Sequence, residues 1–306
     1  MNIMNKQTQG KEYTHDETRE REDKSKKVGS FLYIWKSVSR NPGAMIGLAF
    51  IILIVILSFL STRISPHNFA MVDMMKRFGK PSMEHPFGND HLGRDIFVRV
   101  LYGARYTLSI GLGATVIAAV GGILIGSLTG YFGGLLDSVT MRVIEVIQTF
   151  PFIVLAIALS AAFGRGLENC IYAIGISMMP VFVRLVRASF FAIRGSEYIE
   201  AATSINCPTF RIIFKHVLPN AISPIIVQIS MSVASAGLMA SSLSFLGLGV
   251  AEPNPEWGVM ISSSRTFIRD YPHMVIFPGI FIMITVLSLN LIGDALRDAL
   301  DPKLKD

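Results

Sequence analysis

The sequence predicts an all-α membrane protein with six transmembrane helices and both termini in the cytoplasm, on three observations. The 306 residues are 51% hydrophobic and only 16% charged, where ordinary soluble domains are about a quarter charged. The apolar residues fall in long uncharged runs, and mean hydropathy is +0.49. Lys and Arg gather in alternate connections, 18 of the 28 on one side, which the positive-inside rule assigns to the cytoplasm.

A helix needs about 20 residues to cross the roughly 30 Å hydrocarbon core. The uncharged runs give six candidates: Pro42 to Thr62, Tyr106 to Leu136, Val146 to Gly164, Asn169 to Val183, Val217 to Ala251 and Met274 to Gly293. The fourth is short, but a snorkelling Arg184 lets it reach about Val186. Helices buried in a soluble core rarely stay charge-free on every face over such lengths. No Asp, Glu, Lys, Arg or His is expected deep within a span.

Residues 1–30 mix both charge signs, have no apolar h-region and read as a disordered cytoplasmic tail and not as a cleaved signal peptide. Residues 31–105 hold the first span, introduced by a helix break at Asn41-Pro42-Gly43, and a long external segment. The end of that segment, Asp95 to Arg105, reads as an amphipathic helix lying on the membrane. Residues 106–295 make a five-helix core with a cytoplasmic loop at 187–217, and 296–306 form a cytoplasmic tail. The net charge of +6 sits in cytoplasmic segments, so it reports topology and lipid contact and points to no nucleic acid. Cys170 and Cys207 have no metal or redox spacing and fall on opposite sides of the membrane.

Gly122, Gly126, Gly130 and Gly134 recur every fourth residue of the second span, a spacing that lets helices pack closely in lipid. The fifth span carries Ser230, Ser232 and Ser235, which either bond their own helix carbonyls or line a hydrated pathway. His85, Asp90, His91 and Asp95 cluster in "HPFGNDHLGRD", but Pro86, Gly88 and Gly93 argue for a turn-rich external loop, so no metal site is expected. The chain has no phosphate-binding loop, no H-E-x-x-H helix and no nucleophile constellation, which argues against an enzyme and against a cofactor.

"EYIEAATSINCPTFRIIFKHVLPN" interrupts this apolar chain with two short helices. Asn206 suits a left-handed turn between them and Pro208 suits the first turn of the second. Phe210, Ile213, Phe214 and Val217 share one face of the second helix. The stretch resembles the Glu-Ala-Ala loop of the permease subunits of binding-protein-dependent ATP-binding-cassette importers. Glu200, Ala201 and Ala202 are followed at the matching distance by Leu218 and Pro219, with Asn206 where that family usually has Gly. "RNPGAMIGLAF", "HPFGNDHLGRDIFVRVLYGARYTLSIG", "SLSFLGLGVAEPNPEWGVMI" and "GDALRDALDPKL" are similar to its dipeptide, oligopeptide and nickel branch.

The resemblance implies a type I ABC-importer permease fold in a bacterial inner membrane. It implies half of a translocation pathway for di- or oligopeptides, with a nickel complex as the alternative cargo. The implied partners are a second, different permease, two ATPase subunits that bind the ATP, and an extracytoplasmic solute-binding protein. Docking on the ATPase would fall to Glu200, Ala201, Ala202, Asn206, Leu218 and Pro219. Phe210 and Phe214 either enter a partner pocket or pack on the protein's own spans, the second being preferred. A stand-alone secondary carrier is the rival from another class.

Overall fold

The computed structural model describes residues 31–64 and 68–300. The tail expected over 1–30 and residues 301–306 lie outside them. The helices run in the order α1 (Phe31–Val38), α2 (Pro42–Ile64), α3 (Ile96–Phe132), α4 (Gly134–Gln148), α5 (Phe152–Phe163), α6 (Leu167–Arg194), α7 (Glu197–Ser204), α8 (Thr209–Phe245), α9 (Trp257–Ser264) and α10 (His273–Leu300). Five of them, α2, α3, α6, α8 and α10, are long and apolar enough to cross a membrane alone, and α4 with α5 makes a sixth if the bent pair is one span.

The break at Asn41 forms as expected. Its side-chain Oδ1 accepts a hydrogen bond from the Ala44 amide (3.2 Å) and caps α2, so Pro42 sits in the first turn where its missing N–H costs nothing.

Three expectations change. The third span is not one straight helix, because α4 and α5 meet at 89°. Pro151 has no N–H to continue the ladder and disfavours helical backbone at Phe150. The second span does not begin at Tyr106, and Asp95 to Arg105 does not lie on the membrane: those residues are the first turns of the 37-residue α3. Asp95 caps that helix by accepting from the Val98 amide (3.1 Å). Ile96, Val100, Leu101 and Ala104 are buried there against Trp257, Met260 and Met274. Finally, α6 does not stop near Val186 but runs to Arg194, which places Arg184 and Arg187 inside a helix.

The core is the seam between α3 and α6. A Cβ on Gly122 would lie 2.2 Å from the Phe182 Cβ, one on Gly126 2.7 Å from the Val183 carbonyl oxygen, and one on Gly130 2.7 Å from the Phe190 Cβ. The backbones are therefore in contact, as small residues allow in lipid, where dispersion and not hydrophobicity holds helices together. Gly134 takes no part: α3 ends at Phe132, and Gly134 has φ +59 with nothing within 4 Å. Its role is the left-handed turn that starts α4.

The segment expected to be external folds back on the ends of the helices that adjoin it. Phe69 stacks on Tyr102 at 4.2 Å, Phe78 on Tyr271 at 4.3 Å and Phe87 on Phe277 at 4.0 Å. Three of the four candidate ligands of this loop make polar contacts and the fourth, His91, an aromatic one. His85 Nδ1 contacts Asp95 Oδ2 at 2.8 Å, Asp90 accepts from Arg94 Nε at 2.6 Å, and His91 stacks on Phe267. At the other pole, residues 296–300 of the expected tail continue α10, where Ala295 and Ala299 pack with Val38 and Ala44.

Two outcomes follow from this packing. Gly122→Ala should cost about 1–3 kcal/mol by overpacking, whereas Gly134→Asn, at a left-handed position in open space, should be nearly neutral. Thermal unfolding in detergent separates them. His91 is half-buried, and burial pushes its pKa below the usual 6.5, with Arg94 and Arg99 adding to that and Asp90 and Glu252 opposing it. The neutral ring contributes its full stability above pH 6.5. Below that, the unfolded chain binds a proton that the folded chain resists, so the external segment weakens until the folded pKa is passed. Hydrogen exchange over 68–95, corrected for its intrinsic pH dependence, should speed up between pH 7 and 5.5, and less so in His91→Phe.

Candidate functional site

A cavity of about 590 Å³ opens between the α4–α5 elbow, α6 and α8. Its wall is apolar at Phe152, Leu155, Met178 and Val181, with amides from Gln148 and Gln228, hydroxyls from Ser177, Ser232 and Ser235, and the Arg184 guanidinium. This is the composition of a site for a small polar solute, mostly apolar with a few directed polar groups. Two prolines shape it. Pro151 turns the chain at the elbow, and Pro180 removes one hydrogen bond from the middle of α6 beside the cavity.

The serines divide by helix face. Ser232 and Ser235 line the cavity; Ser232 accepts from Gln228 Nε2 at 3.1 Å and Ser235 donates to the Met231 carbonyl at 3.3 Å. Ser230 does not belong with them. It donates to the Val227 carbonyl at 2.8 Å and sits beside Gly293 of α10, because two residues along a helix turn a side chain by about 200°.

Arg184 donates to Gln148 Oε1 at 2.7 Å. One turn farther on, Arg187 clamps Asp137 of α4, with Nη2 at 2.6 Å from Oδ2 and Nε against Oδ1. This pair fixes α4 across α6. Neither Gln148, Gln228 nor Arg184 was singled out from sequence as part of a site. The signal was present in Gln148 and Gln228, lone amides in otherwise apolar runs.

At the end that the charge rule assigns to the cytoplasm, α6, α7 and α8 form a compact loop. Ile199 of α7 is buried with Val186, Phe190, Ile212, Ile213 and Val217. Asn206 has φ +59 and closes α7, with the Cys207 amide donating to the Ala202 carbonyl at 3.1 Å. α8 then opens into a π-helical stretch, Ile212–Val217. Pro219 accounts for it: the ring crowds the Lys215 carbonyl and cannot donate to it, so the ladder widens just before. Leu218 is half-buried and Pro219 exposed at this junction.

The outward face of the loop is apolar. Tyr198 is 47% exposed, Ile205 80%, Phe210 73% and Phe214 37%, with the two phenylalanine rings 4.4 Å apart. Glu200 and Ala201 are also exposed, and Ala202 is half-buried. The preference for packing Phe210 on the protein's own spans is therefore corrected. Ile212 and Ile213, widened by the π turn, take the inward positions and leave Phe210 in solvent.

Residues 122–306 match the family described as the binding-protein-dependent transport system inner membrane component. The chain belongs to this family. Residues 30–81 also match the N-terminal transmembrane domain of oligopeptide transport permease C. The permease is 42% identical over 284 residues to the dipeptide transport system permease protein of Alkalihalophilus pseudofirmus, covering 93% of each chain. It is 42% identical over 274 residues to the glutathione transport system permease protein of Escherichia coli O1:K1 / APEC, covering 89% of this chain and 90% of that one. Its fold is shared with a chain of an inward-facing methionine ABC transporter, at TM-score 0.55 and 17% identity over 66% of this chain and 96% of that chain. It is a multi-pass inner-membrane transport permease.

Thiol labelling checks the cavity face. With Cys170 and Cys207 replaced, Ser235→Cys should react with a water-soluble thiosulfonate applied to membrane vesicles, and Ser230→Cys should not.

Proposed function

We propose that this permease is one of two different permeases in an ATP-driven importer and carries half of the pathway for short peptides. It hydrolyses nothing itself. Two ATPase subunits bind and hydrolyse ATP on the cytoplasmic side, and an extracytoplasmic binding protein delivers the solute. What carries the reading is the joining of the 590 Å³ cavity to an exposed apolar ridge through one rigid helix. α6 lines the cavity at Arg184, and its far end is buried together with Ile199 of α7.

Glu200, Ala201, Ala202 and Asn206 are the docking residues, with Leu218 and Pro219 setting the turn behind them. Ala201 is small enough for close approach, Glu200 supplies a charge-assisted contact, and Phe210 with Phe214 gives the aromatic anchor that interfaces concentrate their energy in. ATP binding closes the ATPase pair, the ridge moves with it, and α6 and the elbow shift between inward- and outward-open states. The cargo reading rests on the relatives, permeases of dipeptide and glutathione systems, and on a cavity wall of amides, hydroxyls and one guanidinium that suits a peptide backbone. A nickel complex has less support from that wall.

The test is Ala201→Asp in the reconstituted complex. It should insert normally and abolish binding-protein-stimulated ATP hydrolysis, while Phe210→Ala should weaken ATPase retention by about tenfold or more, a loss of at least ~1.4 kcal/mol. Normal stimulation in Ala201→Asp would refute the docking role.

A further inference from the structure

Among the described residues, Arg184 is a cation without an anion. α6 carries it about 26 Å beyond Leu167, within the roughly 30 Å that a span crosses, and it lies on the cavity wall. Its side chain is exposed, and its one hydrogen bond among the described residues is the 2.7 Å bond to Gln148 Oε1. Among the described residues, no Asp or Glu lines the cavity. The neighbouring arginines are engaged: Arg187 holds Asp137, and Arg194 stacks over Phe191 and reaches the Gly130 and Tyr131 carbonyls. An ionisable side chain at membrane depth is costly unless it lines a wet passage and meets a partner there.

Resting on the peptide reading above, we infer that Arg184 is a transit subsite for the carboxylate of the cargo, oriented by Gln148. Gln148 accepts from one guanidinium nitrogen and leaves the remaining N–H groups for a ligand. Their planar fork matches a carboxylate in a bidentate pair, a geometry an ammonium cannot reproduce. The C-terminal carboxylate is the one anion that every linear peptide carries whatever its side chains. A subsite for it is selective for peptides as a class while staying indifferent to sequence. A single water-exposed guanidinium also binds weakly enough to release, which a conduit needs. Gln228 and Ser235 provide hydroxyl and amide groups on the facing wall for the rest of the backbone.

The experiment uses the full importer with its binding protein in vesicles. It compares uptake of one dipeptide with its C-terminal amide in wild type, Arg184→Gln and Arg184→Lys. The expected result is a roughly tenfold fall in uptake of the free-carboxylate peptide in Arg184→Gln, equivalent to about 1.4 kcal/mol. Arg184→Lys should restore part of it, and uptake of the amide, which has no carboxylate for the guanidinium to hold, should fall several-fold less than uptake of the free acid. An equal fall for both peptides would overturn the subsite in favour of helix positioning or lipid anchoring, and no fall for either would overturn it outright. A wild type that takes up neither peptide would refute the peptide reading itself, and the subsite with it.

Discussion

The backbone contact between α3 and α6 is the constraint on which the rest depends. In lipid there is no water to expel from between helices, so they hold only where their surfaces come close over a length. Gly122, Gly126 and Gly130 permit that approach, and the contact sets the position and azimuth of α6. The candidate site hangs from that helix: the cavity wall at Met178, Val181 and Arg184, the Asp137 clamp that holds α4, and the hydrophobic cluster that seats α7. A displacement of α6 would therefore be felt at the cavity and at the ridge together, because a packed interior transmits strain and does not absorb it.

The two ends of this lever are built differently. At the cavity end, Pro151 breaks the helix at the elbow and Pro180 removes one hydrogen bond from within α6, both beside the cavity. At the ridge end, rigidity comes from burial of Ile199, Ile212, Ile213 and Val217 beneath an apolar surface that the other described residues leave exposed. A rigid seat under an exposed aromatic pair favours tight docking, since little side-chain freedom remains to be lost.

Much of this was legible from residue order. Charge-free runs located the spans, and Asn41-Pro42 located the start of α2. The glycine period located a close helix face, save Gly134, whose left-handed φ removes it from the series. The misplacements have one cause. Hydropathy marks where lipid begins and ends, whereas helices continue wherever the backbone can hydrogen-bond and the side chains find protein. Hence α3 begins at Ile96 inside a protein-covered outer layer, α6 runs past Arg184 to Arg194, and α10 continues to Leu300. Phe210 was assigned inward by a regular 3.6-residue count that the π turn breaks. The cavity residues Gln148, Arg184 and Gln228 converge from three helices, a juxtaposition that no local pattern encodes.

The π-helical stretch before Pro219 has a consequence for phase. A π turn holds one residue more than the α turn it replaces, and one residue is about 100° of helical rotation. The surplus in Ile212–Val217 thus fixes the angular offset between the aromatic ridge and the pathway-facing side of α8. Removing a single residue there would leave composition, hydropathy and the flanking motif intact. It would nevertheless swing Phe210 and Phe214 by roughly a quarter turn about the helix axis, and so change which way a push from below is directed.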